Sequence, residues 1–202
     1  MKVLGICGSP RKKGNTDILV DKVLQGARSA GAVTKKIFLN DLKFLPCQEC
    51  RNVNKDGTCR IRDDFQVIHS NVAWADAVII ASPVFFGSVS AQTKMMVDRF
   101  QCFWLARNVF RTVKDLPHKK KGAFISVQST ARKDFFMNAR SVIRNFFAVI
   151  GVKYDAELYC HGIESKGDVL KRAELLKKAF VLGKNIAGGT RNKPKPKLKF
   201  VE

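Results

Sequence analysis

Lys2-Val3-Leu4-Gly5-Ile6-Cys7-Gly8-Ser9-Pro10-Arg11-Lys12-Lys13-Gly14-Asn15-Thr16 opens the chain and decides how the rest is read. The first six residues have the apolar run of a short buried strand. Gly8 to Thr16 is a loop of small, hydroxyl and basic residues, and an amphipathic helix begins where it ends. A strand, such a loop and a helix start in that order make an anion site: the first N–H groups of a helix lack intrahelical acceptors, and the helix dipole favours negative charge beside them. Ser9, Asn15 and Thr16 add side-chain donors and Arg11 adds a cation. The loop has neither the Gly-Lys-Ser/Thr ending of a P-loop nor the G-x-G-x-x-G of a dinucleotide site. It fits a monophosphate held by hydroxyls and backbone amides.

Working outward, strand and helix patterns alternate. A helix is predicted over 14–31, with Ile18, Leu19, Val23 and Ala27 on its apolar face and Gly31 ending it. Thr34–Leu39 reads as a second strand. Residues 40–62 form an irregular insert, and Asp63 caps a helix to about Ala73. Asp76–Ser82 is apolar without alternation, as suits a parallel strand covered on both faces. Pro83–Gly87 reads as a loop, followed by one helix over about 90–109. A strand at 122–127, a helix over about 134–150, a strand at 153–160 and a helix over about 166–187 complete the pattern. Five β–α units without internal repeats predict an α/β protein, a three-layer α/β/α sandwich on a five-stranded parallel sheet. The flavodoxin-like order 2-1-3-4-5 places a ligand at the carboxyl ends of strands 1 and 3. Those ends are Gly8–Thr16 and Pro83–Ser88, so the two most distinctive loops converge on one crevice. Residues 1–189 are expected to form this domain, with 190–202 as a basic Lys/Pro tail.

At 202 residues the chain is long enough for one sizeable core. No apolar run reaches the roughly 18 residues of a membrane span, and the start reads as a strand, so the expected location is cytoplasmic. The net charge of +20 comes from local runs: Arg11 to Lys13, a basic loop (Arg111, Lys114, Lys119 to Lys121) and the tail (Arg191, Lys193, Lys195, Lys197, Lys199). Such runs are usually solvated surface. They also attract anions, and they support a reading from another class: a basic nucleic-acid-binding or regulatory module on the same shell. No nucleic-acid motif accompanies them.

Ser82-Pro83-Val84-Phe85-Phe86-Gly87-Ser88 has what a flavin ring requires. Phe85 and Phe86 supply a flat apolar wall, Gly87 admits backbone close to a ligand, and Pro83 fixes the course of the loop. The other reading is a turn with two core phenylalanines. Taken together, Gly8-Ser9-Pro10-Arg11 with Gly14-Asn15-Thr16, the 82–88 stretch, Lys94 with Asp98-Arg99, and Cys47-x-x-Cys50 with Gly57-Thr58-Cys59 and Asp63-Asp64 resemble the NADPH-dependent FMN reductase family. They are more similar still to its branch of iron–sulfur flavoproteins. The likeness spans about residues 1–160. It implies bound FMN, two-electron redox chemistry with NAD(P)H as donor, and a homodimer or homotetramer with the flavin near a subunit interface.

The cysteine insert departs from that pattern. Relatives of the iron–sulfur branch carry four cysteines, as C-x2-C-x2-C-x5-C or close to it. Here Cys47, Cys50 and Cys59 occupy three of the positions and Val53 the other. Valine cannot ligate iron, and a [4Fe–4S] cluster takes four ligands. Three readings stay open: a cluster completed by an exogenous ligand or one from elsewhere in the fold, a zinc site of three cysteines and one further ligand, or a loop of free or loosely paired thiols. The segment from Ser126 to Arg132 carries Gln128, Ser129 and Thr130 where the family usually has glycines. These side chains either bond the flavin edge or ribityl chain or cap the next helix. His69, His118 and His161 have no ligand spacing, and Asp63-Asp64 reads as a cap.

The sequence therefore predicts an FMN-binding oxidoreductase. Ser9, Arg11, Asn15 and Thr16 hold the phosphate, and Pro83, Val84, Phe85, Phe86, Gly87 and Ser88 hold the ring. Gln128, Ser129 and Thr130 close the site. The alternative within redox chemistry is an iron–sulfur flavoprotein that exchanges electrons with a ferredoxin through the Cys47–Cys59 insert.

Overall fold

The computed structural model describes residues 1–51, 53–113 and 120–188. Lys114, His118, Lys119 and the 190–202 tail, all named above, lie outside the described residues. The elements run β1 (Lys2–Cys7), α1 (Asn15–Ser29), β2 (Val33–Phe38), α2 (Phe65–Trp74), β3 (Ala77–Phe85), β4 (Ser88–Val89), α3 (Ala91–Arg99), α4 (Gln101–Trp104), β5 (Lys120–Val127), α5 (Lys133–Val149), β6 (Val152–Cys160) and α6 (Ala173–Gly188).

Five strands are parallel and lie in the order β2-β1-β3-β5-β6. Counted over the parallel strands this is the expected 2-1-3-4-5. The two-residue β4 is an addition, paired antiparallel to the end of β3. Each face of the sheet feeds its own core. In β1, Leu4 and Ile6 enter the core that includes Phe65, Phe100, Phe124 and Phe147. Val3 and Cys7 enter the other, with Leu19, Val23, Ala27 and Ile186. Strand alternation thus operates inside an unbroken apolar run, because both faces are covered.

Two glycines let α1 and α6 cross in backbone contact. A Cβ on Gly26 would lie 1.9 Å from Phe180 O, and one on Gly183 would lie 1.8 Å from Val23 O. No heavier residue fits at either crossing point.

Three expectations need correction. The helix expected over 90–109 is broken: α3 stops at Arg99, α4 is four residues long, and Leu105–Val109 is a π turn. Aromatic crowding at Phe100, Phe103 and Trp104 accompanies the break. The last helix is shorter than expected, because Asp168–Lys171 is a separate 3-10 turn ending at Arg172 (φ -112, ψ 71). Pro83–Gly87 is not a plain loop. β3 continues through Phe85 and folds back into β4 across Phe86 (φ 49) and Gly87 (φ 74). Both turn residues lie in the left-handed region, which is the twist a two-residue hairpin requires. Glycine adopts it freely and phenylalanine at a cost.

Candidate functional site

The loop after β1 is pinned at both ends. Gly8 N–H donates to Ala81 O at 2.8 Å and carries the sheet ladder one residue further. Ser9 Oγ accepts from Arg11 N–H at 3.1 Å, and the Asp17 carboxylate accepts from Lys13 N–H at 2.7 Å. Lys13 is itself left-handed (φ 55), which curls the loop back onto the helix start. Gly14 occupies the N-cap without a capping side chain. The N–H groups of Asn15 and Thr16 therefore have no acceptor among the described residues. Arg11 is exposed, and its guanidinium has no partner among the described residues. Free helix-start amides, the Ser9 hydroxyl and an exposed guanidinium thus lie on one short loop, the kinds of donor an anion takes.

The structure commits one expected donor elsewhere. The Asn15 side chain donates to Ser165 O at 2.8 Å and accepts from Val169 N–H at 3.1 Å. It ties the segment before α6 to the loop, so only its backbone N–H faces the anion question. Thr16 is buried at 2 % exposure. Asp17, also buried, pairs with Lys36. Burial pulls Lys36 down, but the carboxylates of Asp17 and Asp21 outweigh it and hold the ammonium above its ordinary range.

The second loop is bonded to the first by hydroxyls. Ser90 caps α3 by accepting from Thr93 N–H, and its Oγ donates to Gly8 O at 2.6 Å. Ser90 N–H donates to Ser82 Oγ at 3.0 Å, and the Ser90 and Thr93 hydroxyls are 3.0 Å apart. All three residues are buried. Gly8 sits so close to Thr93 that a Cβ there would lie 1.9 Å from Thr93 Oγ1. The sequence reading missed this network, although Ser90 at a helix start is a visible N-cap. Beyond it, Phe86 is fully exposed and Phe85 about half exposed at the hairpin tip. That rules out the reading of two core phenylalanines.

The third segment joins the other two from β5. Gly87 packs on the Phe135 ring, where a Cβ would meet Phe135 Cδ1 at 3.1 Å. Gln128 is buried, and its amide donates to Thr130 O, Arg132 O and Tyr159 Oη. Of the two readings of Gln128, its amide nitrogen serves the local one and shapes its own loop. Its Oε1 and the Ser126 hydroxyl are buried without a partner among the described residues. Ser129 and Thr130 are exposed. The Cys7 thiol at the end of β1 is pushed up to about 12 by burial, so it stays neutral. The donor-rich loop, the exposed aromatic hairpin and the orphaned polar atoms toward the ends of adjacent parallel strands are chemistry that fits FMN.

In the insert, Cys47, Cys50, Cys59 and Val53 line one cavity of about 20 Å³, and so does Cys102 of α4. Arg99 lines it too. It is 1 % exposed, paired with Asp63 at 2.6 and 3.0 Å, and its Nη2 donates to Cys59 Sγ at 3.4 Å. Burial pulls the Asp63 carboxyl upward, but Arg99 and the N–H groups of Leu45 and Phe65 hold it below the ordinary carboxylate range. Asp64, not the expected Asp63, holds the N-cap position of α2; Asp63, one residue earlier, accepts from Phe65 N–H and anchors a buried guanidinium. Among the described residues no three His, Cys, Asp or Glu side chains stand close enough to hold an ion as they are. The donor chemistry fits a thiophilic metal centre, and the arrangement is not preassembled.

Fold and site together define an α/β domain of flavodoxin type, with the two candidate loops at its topological switch point. Residues 1–153 match the NADPH-dependent FMN reductase family, and the chain belongs to it. An iron–sulfur flavoprotein of Methanocaldococcus jannaschii is 46 % identical over 99 residues, which is 49 % of this chain and 51 % of that protein. An iron–sulfur flavoprotein of Methanosarcina thermophila is 35 % identical over 99 residues, 49 % of this chain and 52 % of its own. The chain thus spans about half the length of these relatives. The structure of an NAD(P)H:quinone oxidoreductase from Methanothermobacter marburgensis shares the fold, with a TM-score of 0.72 at 18 % identity, covering 96 % of this chain and 99 % of that one.

Proposed function

We propose that this protein is an FMN-binding oxidoreductase that moves electrons from NAD(P)H through the flavin to an acceptor, and that residues 1–189 form its one FMN-binding domain. The observation that carries the reading is the bonded junction of the two loops, Ser90 Oγ to Gly8 O, at the carboxyl ends of neighbouring strands β1 and β3. Bound FMN supplies the hydride and electron chemistry. The chain supplies position and charge. Ser9, Arg11 and the N–H groups of Asn15 and Thr16 hold the phosphate. Pro83, Val84, Phe85, Phe86, Gly87 and Ser88 give the ring its wall and edge, with Phe85 and Phe86 excluding water. The 128–130 loop closes the third side, with the Gln128 amide keeping it in shape. No acid–base side chain is needed at the crevice. The test is anaerobic: FMN-loaded protein is mixed with NADPH and the visible flavin absorption is followed. Rapid bleaching supports the reading, and no bleaching with either nicotinamide cofactor defeats it.

A second reading is favoured by the cysteine-lined cavity: an iron–sulfur flavoprotein that exchanges electrons with a ferredoxin-type partner. Assembly as a homodimer or homotetramer is supported by apolar side chains left exposed at Phe86, Phe110 and Trp104. Light scattering reads the mass directly, and a monomer ends that part of the proposal. No helix among the described residues is long and apolar enough to cross a membrane. A cytoplasmic location remains part of the proposal, and the nucleic-acid alternative has no support among the described residues beyond charge.

A further inference from the structure

We propose that Cys102 supplies the fourth thiolate of a [4Fe–4S] cluster with Cys47, Cys50 and Cys59, in the role that Val53 cannot fill. The sequence motif lacks its third cysteine, but the fold brings in another from 43 residues beyond Cys59, on α4. All four cysteines line the same cavity, and Val53 lines it as well. The other two cysteines of the chain are elsewhere: Cys7 and Cys160 are buried in the core on the opposite face of the sheet.

Arg99 points independently to an anionic occupant. Its guanidinium is buried, lines the cavity, and touches Cys59 Sγ, yet its Nε has no partner among the described residues. Asp63 neutralises one positive charge. Four thiolates around iron and sulfide bring net negative charge, which a buried guanidinium stabilises. Cys102 sits three residues after Arg99, and its Sγ lies 3.1 Å from Arg99 O, so the cation and the thiol ride on one short stretch.

The four thiols form two pairs of different burial. Cys59 and Cys102 are buried, and Cys59 is bridged to Val53. Cys47 and Cys50 sit on an exposed arm whose recorded hydrogen bonds are local, Gln48 to Pro46 O and Glu49 N–H to Cys47 Sγ. Glu49 (φ 48) and Arg51 (φ 51) hold left-handed backbone on either side of Cys50. In the proposed cluster the arm is drawn onto the buried pair as iron binds, so the donor set is complete in kind and assembles in space only with the metal. Each thiol gives up its proton on ligation, and two ferrous ions, two ferric ions and four sulfides are the reagents consumed, so the cluster forms at its 2+ level with no further change of oxidation state. The proposal does not rest on the flavin reading, because cluster and FMN content are measured separately.

The test uses the protein purified anaerobically and reconstituted with ferrous and ferric iron in equal amounts and sulfide. Iron, acid-labile sulfide and the electron paramagnetic resonance spectrum of the reduced sample are read, with FMN retention and circular dichroism as checks of folding. The wild type is expected to hold about four irons and four sulfides per chain, as a four-thiolate cluster requires. Cys102→Ser should lower iron at least twofold or change the spectrum, while Cys160→Ser leaves both as in wild type. Val53→Cys placed in the Cys102→Ser background should restore the iron content, because it returns a ligand to the motif. Cys102→Ser with wild-type iron and spectrum would overturn the proposal. So would a wild type that takes up zinc but no iron and sulfide, or a Val53→Cys that fails to rescue a folded Cys102→Ser protein.

Discussion

Gly8→Ala should damage the protein far more than the small change in volume suggests. A Cβ at residue 8 would lie 1.9 Å from Thr93 Oγ1 and 3.3 Å from both Ala81 O and Ser90 Oγ. Thr93 is fully buried and β-branched, so its hydroxyl has few places to go. Either Thr93 changes rotamer and gives up its 3.0 Å contact with Ser90, or residue 8 moves and gives up its 2.8 Å bond to Ala81. One lost buried hydrogen bond costs about 1 kcal/mol and overpacking about 1–3 kcal/mol, so the total is about 2–4 kcal/mol. Urea unfolding should show that loss in the midpoint with little change of slope. FMN affinity should fall by at least about tenfold, the equivalent of about 1.4 kcal/mol, because the displaced residue leads directly into the phosphate loop. Thr93→Ala in the same chain removes the clashing oxygen and should recover at least half of the stability lost at residue 8. Wild-type stability and FMN affinity in Gly8→Ala would refute the close approach. A double variant no better than Gly8→Ala would show that Thr93 is not the obstacle.

Asp63→Asn leaves Arg99 buried beside a neutral partner and should cost about 3–5 kcal/mol in thermal or chemical unfolding. The pH dependence follows from the depressed Asp63 carboxyl: its contribution is present above the ordinary carboxylate value near pH 4 and is lost as pH falls through the lower folded value. A wild-type minus Asp63→Asn stability difference that stays constant from pH 6 to about pH 2 would contradict this. Phe86→Asn should stabilise the apo protein by up to about 1 kcal/mol, since Asn tolerates the left-handed turn better, yet should weaken flavin binding by removing the exposed ring. Asn15→Ala should speed hydrogen exchange in residues 162–169, because it deletes both bonds that tie Ser165 and Val169 to the loop. Arg11→Ala, at an exposed position, should leave stability within about 0.5 kcal/mol.

The sheet was legible because its central strands β1, β3 and β5 carry apolar runs, and because the order follows from connection rules. The placement of the two loops was legible for the same reason: Gly8 follows β1, and the 83–88 stretch closes the neighbouring β3. What escaped the reading depends on contacts distant in sequence. Asn15 has the residue type of a phosphate donor, but its partners lie 150 residues away, at Ser165 and beyond. The hairpin at Phe86-Gly87 was hidden because phenylalanine is a rare choice for left-handed backbone, so the segment lacked the usual Asn-Gly signal. The break after Arg99 falls in a stretch with no Gly or Pro to mark it. Cys102 looked like an ordinary helix residue, and only the fold shows it facing the same cavity as the motif cysteines.

The central claim is that residues 8–16 hold the phosphate of FMN. Fluorescence titration of FMN and of riboflavin against the wild type and Arg11→Ala tests it most directly, because the two ligands differ only in the phosphate. A charge-assisted hydrogen bond contributes about 1.5–3 kcal/mol, so FMN should bind at least about tenfold more tightly than riboflavin to the wild type. Arg11→Ala should remove most of that difference and leave riboflavin affinity as it was. Equal affinities for the two flavins in the wild type, or a preference for FMN that survives Arg11→Ala undiminished, would contradict the account.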